Sequence, residues 1–223
     1  MPIKEFTDFI LGSLAALFPV IDPIGSVPIF LVLTAGVPEA LRRSYAKRIA
    51  LNVVILLVSS LLVGGGILRF FGISLEVVRI AGGIVVFHAA WNAMNSESKL
   101  SDIDNQDVIH KADGHKDISF MPMTIPLLAG PGAIAVALGL AAEASRGAES
   151  LKTVSNLAAI SVAIALIGLI IYIALRTSTL LLKWLGASGI HALSRLLGLF
   201  VMAIGVQLIL NGLGDWIQSL NIG

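Results

Sequence analysis

The feature that most constrains this fold is a set of uncharged apolar stretches, each long enough to cross a lipid bilayer as a helix. The clearest covers residues 49–68 and holds no charged side chain. About 20 helical residues span the roughly 30 Å of hydrocarbon in a bilayer. Only 13% of the chain is charged, against about 25% in an average soluble domain. The sequence therefore predicts an all-α membrane protein.

Six transmembrane helices are predicted, and they divide the chain into three regions. The spans cover residues 9–33, 49–68, 77–95, 118–142, 157–175 and 196–213. The first three belong to a region at 1–95 and the last three to a region at 118–223. A polar segment at 96–117 lies between them and is predicted to be a cytoplasmic loop.

Basic residues predict the orientation, because lysine and arginine favour the cytoplasmic side of a membrane. Seven of them fall in the predicted loops after spans one and three: Arg42, Arg43, Lys47, Arg48, Lys99, Lys111 and Lys116. This distribution predicts a multi-pass protein of the cell membrane with both termini outside.

Spans one and four are interrupted by proline and glycine, and the two interruptions match. The segment "FPVIDPIG" at residues 18–25 aligns without gaps with "IPLLAGPG" at residues 125–132, pairing Pro19 with Pro126 and Gly25 with Gly132. Spans three and six also share three residues at one spacing: Arg79, Gly82 and Asn95, and Arg195, Gly198 and Asn211. Each half therefore holds three spans. Because three crossings end on the opposite side of the membrane from where they began, the second half is inverted relative to the first. The sequence predicts two inverted three-helix repeats with helices 1 and 4 broken near the midplane, as in many secondary transporters.

Each break is predicted to begin a half-helix inside the membrane. Asp22 precedes Pro23 and Gly130 precedes Pro131, which is the order of an N-cap and a proline in the first helical position. The Asp22 carboxylate can cap its own half-helix, whereas glycine leaves the amides of Gly132 and Ala133 free for an anion. A zwitterionic amino acid could place its carboxylate on the second half-helix and its ammonium near Asp22 and the carbonyls of residues 19–21.

Small residues around both breaks favour glycine, alanine or serine as the substrate. The predicted substrate-binding residues are Asp22, Pro23, Gly25, Ser26, Ala129, Gly130, Pro131, Gly132 and Ala133. Asp22 is alternatively a helix cap only, or the carrier of a coupling proton, and sodium is the other candidate coupling ion. A carboxylate deep in a span is by default a functional candidate.

Other polar residues inside the spans are weaker candidates for the pathway or for coupling. His88 and Asn92 share a helix face and Gln207 lies in span six, but all three could equally bond between packed helices. Glu76 and Arg79 are three residues apart and are predicted to form a local ion pair.

Several functions are not predicted. A net charge of +1 gives no sign of nucleic-acid binding, and the chain has no cysteine. The acidic residues of segment 96–117 lack the spacing of a calcium loop, so no metal and no cofactor are predicted. No Walker motif is present, and no second deep carboxylate faces Asp22, so an enzyme is not expected. An ion channel or ion transporter that uses Asp22 and the carbonyls of the broken helix is the alternative function.

The segments "LFPVIDPIGSVPIFLVLT" and "IPLLAGPGAIAV", together with the six-span layout, resemble the MarC family of integral membrane proteins over essentially the whole chain. The family includes the SnatA small neutral amino-acid transporters, and the resemblance implies transport of glycine and alanine. It also implies that Asp22, Pro23, Gly25, Gly130, Pro131 and Gly132 form the core of the site. Family members carry asparagine or aspartate at the place of Asp22, so the resemblance implies that the fold does not require a carboxylate there. The expected partners are the lipid bilayer, the amino acid, the coupling ion and other copies in a homo-oligomer.

Overall fold

The structure is a computed structural model that describes residues 3–95, 117–145 and 150–220. The first range holds four helices: α1 (Ile3–Ile21), α2 (Val27–Leu33), α3 (Glu39–Phe70) and α4 (Leu75–Asn95). In the other two ranges a π-helical stretch (Met123–Leu128) precedes α5 (Pro131–Ser145), α6 (Ser150–Arg176) and α7 (Ser178–Leu220). Every regular element of these ranges is helical, and α3, α6 and α7 are long and apolar enough to cross a membrane. The predicted loop at 96–117 lies outside the described residues except for Asp117.

Two helices extend well beyond the apolar spans predicted for them. Helix α3 begins at Glu39, and its first turns carry charges, including the pair of Glu39 with Arg43 one helical turn later. Helix α7 begins at Ser178 and continues through residues predicted as a loop, with an interruption at Gly186, whose φ of +65° suits glycine. Apolar composition marks where a helix meets lipid, but a helix ends only where its hydrogen bonds end.

Helix α6 packs against both α1 and α3 and shows how the chain meets its surroundings. Four isoleucines on one of its faces are fully buried: Ile160, Ile164, Ile167 and Ile171. The opposite face exposes apolar side chains at helical spacing: Val162, Leu166, Leu169 and Ile173. Exposing such a face to water would cost about 25 cal/mol per Å², so this face is suited to lipid.

Helices α4 and α7 form the most extensive helix pair and cross at two glycines. A Cβ atom placed on Gly205 would lie 2.9 Å from the Gly83 carbonyl oxygen and 2.8 Å from the Phe87 nitrogen. Both are backbone atoms, so a larger residue here would have to move a helix. The crossing therefore requires glycine for close approach.

A largely buried ion pair joins α4 to α7. The Arg79 guanidinium donates to the Asp215 carboxylate, and the two side chains are only 8% and 18% exposed. Arg79 Nη2 also lies 3.4 Å from the Gly139 carbonyl oxygen on α5. The closest partner of Arg79 is therefore Asp215 rather than the predicted Glu76, which bonds with the Ser74 side chain and interacts with the Arg79 charge more weakly.

Asp117 makes stability depend on pH. Its carboxylate accepts hydrogen bonds from the Ser119 hydroxyl, from the Ser119 N–H at 3.0 Å and from Arg48 Nη1 at 2.7 Å. These contacts, led by the Ser119 hydroxyl, lower the pKa of Asp117 below its ordinary value. A lowered pKa in the folded state stabilises the protein above the ordinary value of about 3.9, and this contribution is lost as pH falls through the folded pKa.

Replacing Asp117 with asparagine is therefore expected to lower the unfolding temperature at pH 7 and to flatten its decline below about pH 4. The effect is expected to stay below about 1 kcal/mol, since both partners of the ion pair are about half exposed. Thermal unfolding in detergent at a series of pH values measures it, and Ser119→Ala is expected to act in the same direction. An unchanged acid limb in Asp117→Asn would contradict the assignment.

Candidate functional site

The first break begins at Asp22, directly after α1. Asp22 has a φ of +48°, its N–H donates to the Phe18 carbonyl at 3.0 Å, and its Oδ1 accepts from the Gly25 N–H at 3.0 Å. The half-helix predicted from about Pro23 begins instead at Val27, and residues 23–26 form a turn. The reason is Pro28, which would lack an N–H in the interior of a helix that began at Pro23. A start at Val27 places Pro28 in the first turn, where no N–H is required.

The break leaves the carboxyl end of α1 rich in uncommitted oxygen atoms. Pro23 has no N–H, so the Pro19 carbonyl cannot receive the usual bond from four residues later. The Gly25 N–H, which would continue the ladder to Ile21, is donated to Asp22 instead. Helix carboxyl ends also carry a partial negative charge, so this side of the break is suited to a cation.

The second break separates the π-helical stretch from α5. Ile125 is extended within that stretch, with φ −117° and ψ 127°, and the Ala129 N–H donates to the Thr124 carbonyl at 2.8 Å. Helix α5 begins at Pro131, as the sequence predicts, and its first bond runs from the Ile134 N–H to the Gly130 carbonyl at 3.1 Å. The first N–H groups of a helix have no partner within it, so the amides of Gly132 and Ala133 make this end suited to an anion.

Both breaks line one cavity of about 240 Å³. Five of the predicted substrate-binding residues line it: Asp22, Gly130, Pro131, Gly132 and Ala133. Pro23, Gly25, Ser26 and Ala129 are buried beside these residues in the chain but are not part of the lining. The cavity also includes the α1 residues Pro19, Val20 and Ile21, so the oxygen-rich end of α1 and the amide-rich end of α5 border the same space.

Further walls come from residues of α4 and α7 that the sequence did not predict to be part of the site. They contribute Val85, Val86, Ala89, Ala90, Ser194, Gly198 and Val201. Apart from Ser194, these side chains are small or apolar and carry no chemical signal in the sequence. Ser194 could have been noticed only from its place one residue before Arg195 in the repeated spacing.

The three predicted pathway residues lie away from this cavity. His88 and Asn92 are exposed on α4, where Asn92 Nδ2 and His88 Nε2 are 3.1 Å apart. Gln207 is exposed on α7 and donates to Asn211 Oδ1 at 2.8 Å. Each therefore has a bonding partner one turn away on its own helix. The acidic residues at 102–113 lie outside the described ranges, and the described ranges contain no cluster of metal-binding side chains.

Comparison with known proteins agrees with this membrane-embedded arrangement. The model of the MarC family of integral membrane proteins matches residues 7–217. The chain is 34% identical to the UPF0056 membrane protein YvbG of Bacillus subtilis, covering 92% of this chain and 94% of that one. It is 33% identical to the UPF0056 membrane protein YhcE of Escherichia coli, covering 95% of each. No solved structure matches the chain significantly. The chain therefore belongs to the MarC family of integral membrane proteins.

Proposed function

We propose that this protein is a secondary transporter of the SnatA type for small neutral amino acids, with glycine and alanine as the main substrates and serine as a further one. The observation that carries the proposal is the single cavity bordered by two helix ends of opposite polarity. The proposal is one of binding and transport without covalent chemistry; among the described residues, Asp22 is the one ionisable side chain that lines the cavity.

A zwitterion matches the two ends of this cavity. The carboxylate of an amino acid would accept hydrogen bonds from the amides of Gly132 and Ala133, and the dipole of α5 would favour its negative charge. The ammonium would face the Asp22 carboxylate and the carbonyl oxygens of Pro19 and Ile21. Charged groups inside a membrane are costly unless they are paired, and here each substrate charge has a partner of opposite sign.

The volume of the cavity also favours a small substrate. Its volume of about 240 Å³ is below the roughly 300–1,000 Å³ of typical pockets for drug-sized ligands. Its α4 wall includes Val86, Ala89 and Ala90, and these small or medium-sized side chains favour a compact substrate. This supports glycine, alanine and serine over bulky amino acids.

The proposed architecture is two inverted three-helix repeats with six spans. It is supported by the matching breaks, which meet at one cavity, and by the close crossing of α4 with α7, the helices that carry the repeated Arg, Gly and Asn spacing. Inverted repeats with broken helices at the substrate site are common in secondary transporters. The proposal places the protein in the cell membrane with both termini outside. A homo-oligomer could pack on the open small-residue face at Gly65 and Gly66.

An ion channel or ion transporter is the second candidate function. The oxygen-rich end of α1 favours it, because carbonyl and carboxylate oxygens are suitable ligands for a hard cation. The α5 end of the same cavity, however, carries a partial positive charge that a cation alone would not use. The same oxygens make proton or sodium the proposed coupling ion of an amino-acid transporter.

Uptake of radiolabelled glycine into proteoliposomes tests the proposed function. Wild type is expected to show saturable glycine uptake, and unlabelled alanine and serine are expected to inhibit it competitively. Asp22→Asn keeps an oxygen that can accept from the Gly25 N–H but loses the charge. The variant is therefore expected to transport with a KM raised about 10- to 100-fold, the equivalent of one hydrogen bond to a charged group.

An imposed pH gradient identifies the role of Asp22 in coupling. If wild type responds to the gradient and Asp22→Asn does not, Asp22 carries the proton; if both respond, Asp22 holds the ammonium and caps the turn. Absence of saturable glycine uptake by wild type, together with cation flux, would replace the amino-acid function with the ion function.

A further inference from the structure

Ser194 on α7 is the one polar side chain of the α4 and α7 walls of the cavity, and the structure gives its hydroxyl no hydrogen-bond partner among the described residues. The residue is only 7% exposed. Buried polar groups are hydrogen-bonded in the great majority of cases, so each exception requires an explanation. A partner that arrives with the substrate would provide one.

The position of this hydroxyl relative to Asp22 can be located from Gly25. A Cβ atom placed on Gly25 would lie 2.0 Å from Asp22 Oδ2 and 2.5 Å from Ser194 Oγ. Because both distances start from the same point, the separation of the two oxygen atoms is no more than the sum of the distances, about 4.5 Å. The missing side chain of Gly25 therefore leaves the buried Ser194 oxygen and the partly buried Asp22 oxygen close together at the cavity.

We propose that Ser194 binds the substrate ammonium together with Asp22, and that the site thereby selects a primary amine. This inference rests on the proposed function and adds a residue and a specificity to it. A primary ammonium has three N–H donors, which suit the Asp22 carboxylate, the Ser194 hydroxyl and one free carbonyl oxygen of α1. The Ser194 hydroxyl accepts one of these bonds and keeps its own proton available to the Asp22 carboxylate.

N-methylation of the substrate provides a direct probe of this arrangement. N-methylglycine keeps both charges of glycine but replaces one N–H with a methyl group, which would leave one buried oxygen without a donor. Sites built to hydrogen-bond a substrate group discriminate strongly against analogues that lack it. Wild type is therefore expected to bind glycine at least about tenfold more tightly than N-methylglycine.

The test compares Ser194→Ala with a matched control, Ser13→Ala. The Ser13 hydroxyl on α1 is likewise buried and without a partner among the described residues, but Ser13 does not line the cavity. Ser194→Ala is expected to raise the KM for glycine uptake about 10- to 100-fold. Inhibition of uptake by N-methylglycine is expected to stay nearly unchanged. The preference for glycine over N-methylglycine is therefore expected to become smaller. Ser13→Ala is expected to keep the wild-type KM and the wild-type preference.

Loss of stability is not expected to affect this comparison, because neither hydroxyl makes a hydrogen bond with the described residues that the substitution would break. Both variants are expected to unfold at or slightly above the wild-type temperature in the absence of amino acid. Equal KM values and equal preferences for Ser194→Ala and Ser13→Ala, with wild type active, would overturn the role of Ser194 alone. Absence of saturable glycine uptake by wild type would overturn the proposed function and this inference with it.

Discussion

Replacing Gly130 with valine is expected to reduce glycine uptake about 10- to 100-fold or more. A Cβ atom on Gly130 would lie 2.4 Å from the carbonyl oxygen of Pro126, a backbone atom that no side-chain rotation can move. The added groups would therefore displace either the π-helical stretch or the start of α5, both of which line the cavity. Overpacking of this kind costs about 1–3 kcal/mol, and each 1.4 kcal/mol is a factor of ten.

The matched control for this variant is Gly12→Val. Gly12 lies on α1 and a Cβ atom placed there meets nothing within 4 Å, so the same substitution is expected to leave uptake unchanged. Uptake of radiolabelled glycine into proteoliposomes, with equal amounts of folded protein, measures both. If Gly130→Val takes up glycine at the wild-type rate, the second break does not form part of the substrate site.

Replacing Arg79 with alanine is expected to destabilise the protein by about 3–5 kcal/mol, the typical cost of removing one partner from a buried ion pair. In the unsubstituted protein the Asp215 side chain is only 18% exposed, and the substitution removes the guanidinium that donates to it. It also removes the contact of that guanidinium with the Gly139 carbonyl, which links α4 to α5. Thermal or denaturant unfolding in detergent measures the loss.

Arg43→Ala is the matched control, because Arg43 also pairs with a carboxylate, that of Glu39, but at the surface. The two side chains are 54% and 64% exposed, and such pairs contribute about 0–1 kcal/mol. The double variant Arg79→Ala, Asp215→Ala is expected to be more stable than Arg79→Ala, since it removes the Asp215 carboxylate together with its guanidinium partner. Equal stability of Arg79→Ala and Arg43→Ala would contradict the structural role of the buried pair.

The sequence predicted those parts of the site that depend on local chemistry. The Gly-Pro order at 130–131 is sufficient to start a helix, and α5 begins at Pro131. The Asp-Pro order at 22–23 is just as local, but Pro28 further along the chain overrides it and moves the start of α2 to Val27. The length and apolarity of the spans predicted a helical membrane protein, which the helices and the family membership confirm.

The parts that could not be predicted depend on contacts between distant residues. Arg79 and Asp215 are 136 positions apart, so the spacing of Glu76 and Arg79 suggested the wrong partner. Ser194 is one serine among several in apolar helices, and only the fold brings it beside Asp22. Polarity alone suggested a role in the pathway for His88, Asn92 and Gln207. Each of them bonds along its own helix and lies on an exposed face.

The glycine crossing of α4 and α7 has a consequence for the width of the cavity that these helices border. Two walls of the cavity belong to these helices, with Val86 and Ala90 on one and Ser194 and Gly198 on the other. Close backbone contact at Gly83 and Gly205 helps to set the distance between these walls, because a Cβ atom on Gly205 would lie 2.9 Å from the Gly83 carbonyl oxygen. Glycine at the crossing therefore allows the two helices, and the cavity walls that they carry, to lie close together. A methyl group added to either glycine is therefore expected to push α4 and α7 apart and to widen the cavity between them, although neither glycine lines that cavity.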